Sequence, residues 1–356
     1  MRVGIATVFT PGIHGGAEFL ADGLVNAVRE AGHQVHRISA PFHYDAPASA
    51  GSALDQCEAT DFMRYDGGLI DRLICLKFPA YSMPHPDKRV WLLHQHRVAY
   101  DLFGSAHGWP ANAETEGLRT RIAEADRIAL GGQGPGSARA VYTIAERVCA
   151  RLRHYSGIES RALYHPPADA EKFSCANALP YIFVPSRLEA LKRQDLFLRA
   201  LAKTSSPIGA IIAGDGGLRT QLQALSEELD LSDRVRFVGS ISRAEMLEFY
   251  AQASAVFFGP LDEDYGYITL EAMLSGKPVV TCTDSGGPLE FVVDGETGYV
   301  TEPEPQSIAD ALSRLMADPA YAERLGANGR ARYEAMNITW SHVVETLLAD
   351  LPEASA

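Results

Sequence analysis

Short apolar runs alternate with stretches of helical spacing along most of this chain. Val3–Phe9, Gln34–Ile38, Leu73–Lys77, Val90–Leu93 and Val141–Ile144 read as strands, with a helix from Gly16 to Ala31 between the first two. A proline-containing stretch follows, His165-Pro166-Pro167-Ala168-Asp169, and the pattern then restarts. Tyr181–Val184, Ile208–Ala213, Val235–Val238, Ala255–Phe258, Pro278–Cys282 and Gly298–Val300 read as a second set of strands with helices between them. Apolar strands separated by helices are the signature of parallel sheets covered on both faces. The pattern predicts an α/β chain of two doubly wound, Rossmann-like parallel-sheet domains facing each other across a cleft. The domains are expected at residues 1–168 and 169–335, with a last helix in 336–356 carrying apolar Val343, Val344, Leu347 and Leu348.

Composition agrees with two soluble domains. The chain has 356 residues, 46% hydrophobic and 22% charged. It holds no apolar run near the roughly 20 residues a membrane span needs. It passes directly into a strand pattern at Arg2, so no signal peptide is visible and a cytoplasmic location is expected. Five scattered cysteines lack metal-ligand spacing and read as reduced thiols. The net charge of −13 argues against nucleic acid as a partner. From Arg119 to Arg161, however, basic residues outnumber acidic ones. That stretch reads either as a basic face for an anionic lipid surface, with peripheral contact at the inner face of the cytoplasmic membrane, or as an ordinary solvated helix face.

The chemistry concentrates in Asp262-Glu263-Asp264-Tyr265-Gly266-Tyr267-Ile268-Thr269-Leu270-Glu271. A glycine turn leads into a helix, with one carboxylate in the loop and the other about one turn into the helix. A helix N-terminus offers N–H groups and partial positive charge to a phosphate. Flanking carboxylates suit a ligand with hydroxyls at both ends, such as a nucleotide sugar. The stretch resembles the Glu-x7-Glu motif of retaining glycosyltransferases of the GT-B fold, in particular glycosyltransferase family 4.

The resemblance extends along the second half. Arg187 and Lys192 follow the strand Tyr181–Val184, where the family's Arg/Lys pair holds the donor diphosphate. Gly214, in Ala213-Gly214-Asp215-Gly216, matches the family's glycine turn, and Val238 lies where its backbone recognises the base. In the first half the resemblance is thin. Gly15 and Gly16, in Gly12-Ile13-His14-Gly15-Gly16-Ala17-Glu18, resemble the family's Gly-Gly-x-Glu loop; the stretch is not a dinucleotide fingerprint. His94 follows the strand ending at Leu93 and matches the family's sugar-side histidine, with His96 as the alternative. Ala145 departs from the family, which often carries Ser or Asn there, and Gly131–Gly136 resembles an insertion.

The resemblance implies a retaining hexosyltransferase acting from a UDP- or GDP-sugar to a hydroxyl acceptor in glycan, polysaccharide or glycolipid synthesis. Arg187, Lys192, Glu263 and His94 would be catalytic. Gly15, Gly16, Gly214, Val238, Gly266, Tyr267, Thr269, Leu270 and Glu271 would bind the donor. Asp262-Glu263-Asp264 also spells Asp-x-Asp, but its neighbours assign Glu263 to the carboxylate pair, so no metal or other cofactor is expected. A nucleotide-sugar 2-epimerase and an inactive binding scaffold on the same fold remain as alternatives. In the resembled fold the last helix crosses back to the N-terminal domain.

Overall fold

The computed structural model describes residues 1–9, 15–42, 47–61, 63–132, 134, 136–204 and 208–351. Gly12, Ile13 and His14 of the first glycine loop, and Gln133 and Pro135 of the insertion-like stretch, lie outside the described residues. The chain divides into two compact units, Met1–His165 with Thr339–Ala356, and Pro166–Ile338.

The first unit contains β1 (Arg2–Phe9), α1 (Gly16–Glu30), β2 (Gln34–Pro41), α2 (Pro47–Ala59), the hairpin β3 (Arg64–Tyr65) and β4 (Gly68–Leu69), and β5 (Arg72–Cys75). It continues with β6 (Lys88–Leu92), α3 (Ala113–Leu130), β7 (Ala140–Thr143), α4 (Glu146–Ser156) and β8 (Arg161–Ala162). Its main sheet is parallel in the order β2-β1-β5-β6-β7-β8. Val3, Ile5, Ala6, Thr7 and Val8 of β1 are all buried, as a strand covered on both faces requires. On α1, Leu20, Ala21, Leu24, Ala27 and Val28 form the buried stripe.

The second unit contains β9 (Tyr181–Pro185), α5 (Gln194–Leu201), β10 (Gly209–Ala213), α6 (Arg219–Glu228), β11 (Val235–Gly239), α7 (Arg243–Gln252) and β12 (Ala255–Phe257). It ends with α8 (Tyr267–Leu274), β13 (Val279–Cys282), β14 (Gly298–Thr301), α9 (Pro305–Ala317) and α10 (Pro319–Ala335). The parallel order is β11-β10-β9-β12-β13-β14. β9 comes first in the chain and lies in the middle of the sheet. Successive strands run outward from it on one side, then the chain restarts at β12 on the other. Its core includes Ile182 and Val184 of β9, Phe197 and Leu201 of α5, Ile212 of β10 and Leu312 of α9.

The last helix, α11 (Trp340–Leu348), belongs to the first unit and buries Val343, Val344 and Leu347. Trp340 lies against Gly23 of α1, stacks on His165 with ring centroids 5.8 Å apart and meets Trp91 edge-on at 6.2 Å.

The arginines between Arg119 and Arg161 are largely neutralised. Arg121 pairs with Asp55 and Glu58 of α2, Arg119 with Glu116, Arg127 with Glu124 and Arg153 with Glu159. Among the described residues no helix is long and apolar enough to cross a membrane.

Asp126 of α3 is fully buried and accepts from Tyr81 (2.7 Å), Tyr100 (2.6 Å) and Gln95 (3.2 Å). Burial pushes its carboxyl up to about 6, against the pull of those hydrogen bonds. A carboxyl raised by folding stabilises the fold below its unfolded value near 3.8 and loses that contribution as pH rises through about 6. Wild type should therefore lose up to about 3 kcal/mol between pH 4 and 7 relative to Asp126→Asn, which cannot ionise. Urea denaturation of both proteins across that range checks this; parallel curves would refute it.

Candidate functional site

The second unit changes direction between β9 and β12. At such a switch point the loops leaving two adjacent strands part, and a crevice opens beyond their carboxyl ends. Arg187 and Lys192 lie on the loop after β9, and Glu263 on the loop after β12.

Lys192 and Glu263, 71 residues apart, form an ion pair. Their side chains are 17% and 24% exposed, so the pair is shielded but reachable. The Lys192 ammonium also stands 5.9 Å from the centre of the Phe258 ring. A cation suited to a diphosphate and a carboxylate suited to hydroxyls are thus paired with each other. Arg187 behaves differently: it is 63% exposed and pairs at 2.6 Å with Glu189.

Arg193, which the sequence reading did not single out, fixes the loops around that pair. Its guanidinium grips Asp284 with two bonds, 2.8 and 2.6 Å, and donates to the carbonyls of Gly259 and Pro260 at 2.8 Å each. The main chain adds a bond from Leu261 N–H to Leu191 O at 2.8 Å. The loops after β9, β12 and β13 are thus tied together. Glu263 is held further by a bridge to Gly286, with its N–H on Ser285 O (2.9 Å) and its C=O accepting from Gly287 (2.8 Å).

Gly266 is the N-cap of α8, with φ 88°, and no side chain caps that helix start. Thr269 and Leu270, expected from the sequence to meet the donor, are fully buried. Tyr267 meets Tyr265 edge-on at 5.3 Å. Glu271 sits further along α8, its side chain 12% exposed, with Arg243 at 3.0 Å from Oε1 and the Tyr250 hydroxyl at 2.8 Å from Oε2. Burial lifts its carboxyl above the usual range, and Arg243 and Tyr250 oppose the lift. Neither partner was singled out from the sequence. Their spacing of seven along α7 places both on one helix face, which is the only signal that could have paired them.

Gly214 and Val238 end the next strands outward. A Cβ on Gly214 would lie 1.9 Å from Ser186 O, so the β9 and β10 loops approach too closely for any side chain there. The register between β10 and β11 slips so that Ala213 pairs with Gly239, leaving Val238 as the unpaired bulge residue. A bulge at a sheet end turns the backbone out of the ladder.

In the first unit, Gly15 is the N-cap of α1, and its N–H donates to Glu18 Oε2 at 2.9 Å. Gly16 opens the helix. Glu18 Oε1 lies 3.9 Å from the buried Lys77 ammonium, beyond β5, whose pKa burial lowers. The structure separates the two histidines. His96 is buried, stacked on Phe78 at 4.8 Å and edge-on to Trp109 at 5.0 Å, and burial lowers its pKa to about 3. His94 is only partly buried, and its Nδ1 donates to Gln95 O at 2.6 Å. Ala145 is the N-cap of α4 with no side-chain bond, as its departure from the family pattern implies.

Residues 168–332 match the family model for glycosyl transferases group 1. That match falls within the second unit and spans most of it. Alpha-1,3/1,6-mannosyltransferase ALG2 of Dictyostelium discoideum is 33% identical over 138 residues, 36% of this chain and 33% of that protein. D-inositol 3-phosphate glycosyltransferase of Mycolicibacterium smegmatis is 29% identical over 251 residues, 68% of this chain and 52% of that protein. The chain therefore spans a third to about half the length of these relatives. Among solved structures, sucrose-phosphate synthase of Thermosynechococcus elongatus superposes with a TM-score of 0.75 at 18% identity, covering 97% of each chain. Anabaena HepE in complex with UDP-glucose gives 0.71 at 16% identity, covering 98% of each. These two likenesses establish the fold: two Rossmann-like parallel-sheet domains of the GT-B class, as the strand pattern predicts. The sequence similarity is to glycosyltransferases, with the family match confined to residues 168–332.

Proposed function

We propose that this protein transfers a hexose-type sugar from a UDP- or GDP-sugar to a hydroxyl acceptor, with retention of configuration and without a metal. The acceptor belongs to glycan, polysaccharide or glycolipid synthesis. The observation that carries the reading is the Lys192–Glu263 pair at the β9/β12 switch point, with Glu271 on the helix that follows.

In this reading the donor diphosphate displaces Glu263 from Lys192. Lys192 and Arg187 offset the charge that builds on the leaving diphosphate, and this stabilises the transition state more than the ground state. Freed from Lys192, Glu263 accepts from sugar hydroxyls beside the backbone of Gly266 and Tyr267. Glu271 accepts from the ribose, Val238 and Gly214 present backbone to the base and phosphates, and His94 orients the sugar or acceptor. No carboxylate is assigned as a nucleophile.

Calorimetric titration with UDP, GDP and their sugar conjugates, in chelator, tests this. One nucleotide should bind with micromolar affinity, and Glu271→Ala should weaken it on the order of tenfold or more, the value of hydrogen bonds to a charged group. Failure of both nucleotides to bind would overturn the reading.

A further inference from the structure

Ionised Glu271 has two oxygens, each with two acceptor positions. Arg243 Nη1 takes one position on Oε1 and the Tyr250 hydroxyl takes one on Oε2. One acceptor position remains on each oxygen, side by side, which is the arrangement that meets two neighbouring hydroxyls at once. The side chain is 12% exposed.

Both partners are themselves fixed. Ser242 caps α7 in a reciprocal box with Glu245, setting the register that brings Arg243 and Tyr250 to one face. Arg243 also reaches Asp169 at 3.2 Å and the Ala168 carbonyl, and lies 4.9 Å over the Phe173 ring. Tyr250 is fully buried, edge-on to Phe183 at 4.9 Å and to Phe173 at 5.7 Å. A guanidinium held from three sides and a buried phenol leave Glu271 little freedom to turn.

We infer that Arg243 and Tyr250 are positioning residues that hold the Glu271 carboxylate with both oxygens open to a vicinal diol, and so set a preference for ribonucleotides over nucleotides lacking the ribose hydroxyls. The inference rests on the donor reading above. It goes further in naming the residues outside the motif that make it selective. Three polar groups face the carboxylate: Arg243 and Tyr250 from α7, and Tyr267 from its own helix. Arg243 alone carries positive charge. Without it, burial acts with less opposition and the carboxyl takes up a proton at higher pH. A protonated Glu271 is a poorer diol acceptor, so ribose affinity in an Arg243 variant falls off at higher pH than in wild type.

The experiment is calorimetric titration of UDP, GDP and their 2′,3′-dideoxy forms into wild type, Arg243→Ala, Arg243→Lys and Tyr250→Phe, between pH 6 and 8.5. Wild type should favour the ribose form on the order of tenfold or more. Tyr250→Phe should cut that preference about threefold. Arg243→Ala should nearly abolish it, leave dideoxy binding unchanged, and move the pH midpoint of ribose binding upward. Arg243→Lys, which keeps the charge and loses the fork, should restore the midpoint and only part of the preference. If Arg243→Ala does not fold, the other two variants decide.

Equal weakening of ribose and dideoxy forms in these variants would mean a purely structural role and overturn the inference, with the donor reading intact. A wild type that binds UDP or GDP but ignores the hydroxyls would overturn it too. Binding of neither nucleotide would remove the donor reading, and the inference with it.

Discussion

Lys192→Ala is expected to lower kcat by a hundredfold or more, an effect on the order of 3 kcal/mol that matches the loss of one preorganised charge from a developing anion. Of the two cations assigned to the diphosphate, Lys192 is the more firmly placed. It is largely shielded, paired with Glu263 and close to the Phe258 ring, whereas Arg187 is mostly exposed beside Glu189. Shielding matters because a charge acting through low dielectric is worth several times more than the same charge in water. Arg187→Ala should therefore cost less, about tenfold. The substitution at Lys192 also leaves Glu263 without its partner, so some of the effect passes through that carboxylate. Lys192→Ala with Glu263→Gln separates the two: if the lysine acts on the diphosphate directly, the double variant stays as slow as the single one. Turnover can be followed as hydrolysis of the nucleotide sugar, with water standing in for the acceptor. A Lys192→Ala protein within threefold of wild type would remove Lys192 from the mechanism.

The same pair shows how far the sequence carries. Lys192, Glu263 and Glu271 can be nominated from sequence because each sits in a local pattern that has a reason: a cation after a strand, a carboxylate before a glycine turn, a second one beyond it on the helix. The strands were legible for the same reason, since burial on both faces demands continuous apolar runs. Boundaries shifted by up to three residues, as at β2, expected at Gln34–Ile38 and found at Gln34–Pro41. Elements without a strong apolar rhythm went unread. α2 is built from Ala, Ser and Gly with little amphipathicity, and β3, β4 and β8 have two residues each.

What one sequence does not carry is which loops meet. Arg193 and Asp284 are 91 residues apart, and Arg243 and Glu271 are 28 apart. Neither spacing has a period, so nothing local marks them as partners. The first pairing is visible only once strand order brings the loops after β9 and β13 together, and the second only once α7 and α8 meet. The two histidines make the same point at short range. His94 and His96 both follow one strand. Only the aromatic cage of Phe42, Phe78 and Trp109 around His96 shows which of them is core.

Gly286→Ala should be strongly damaging for a change of a single methyl group. Gly286 has φ 74°, and a Cβ there would lie 2.5 Å from Glu263 O and 2.9 Å from Glu263 N, both main-chain atoms with no rotamer to yield. The methyl must either push the Glu263 segment away or break the bridge that aligns it. Gly295 supplies the control. It has nearly the same φ, 70°, but nothing lies within 4 Å of its added Cβ. Gly295→Ala therefore measures the left-handed backbone alone, roughly 1 kcal/mol. Gly286→Ala carries that same cost plus the clash, about 3 kcal/mol or more in all. The functional consequence should be selective. Because the clash falls on Glu263 and not on Glu271, the folded fraction of Gly286→Ala should bind the free nucleotide within a few-fold of wild type. It should lose most of the added affinity of the sugar conjugate. Urea denaturation of both alanine variants, with calorimetry on nucleotide and nucleotide sugar, reads each part separately. Equal destabilisation of the two variants would show that the Glu263 segment moves aside at no cost. Its position would then be soft, and a fixed Glu263 could not be what recognises the sugar.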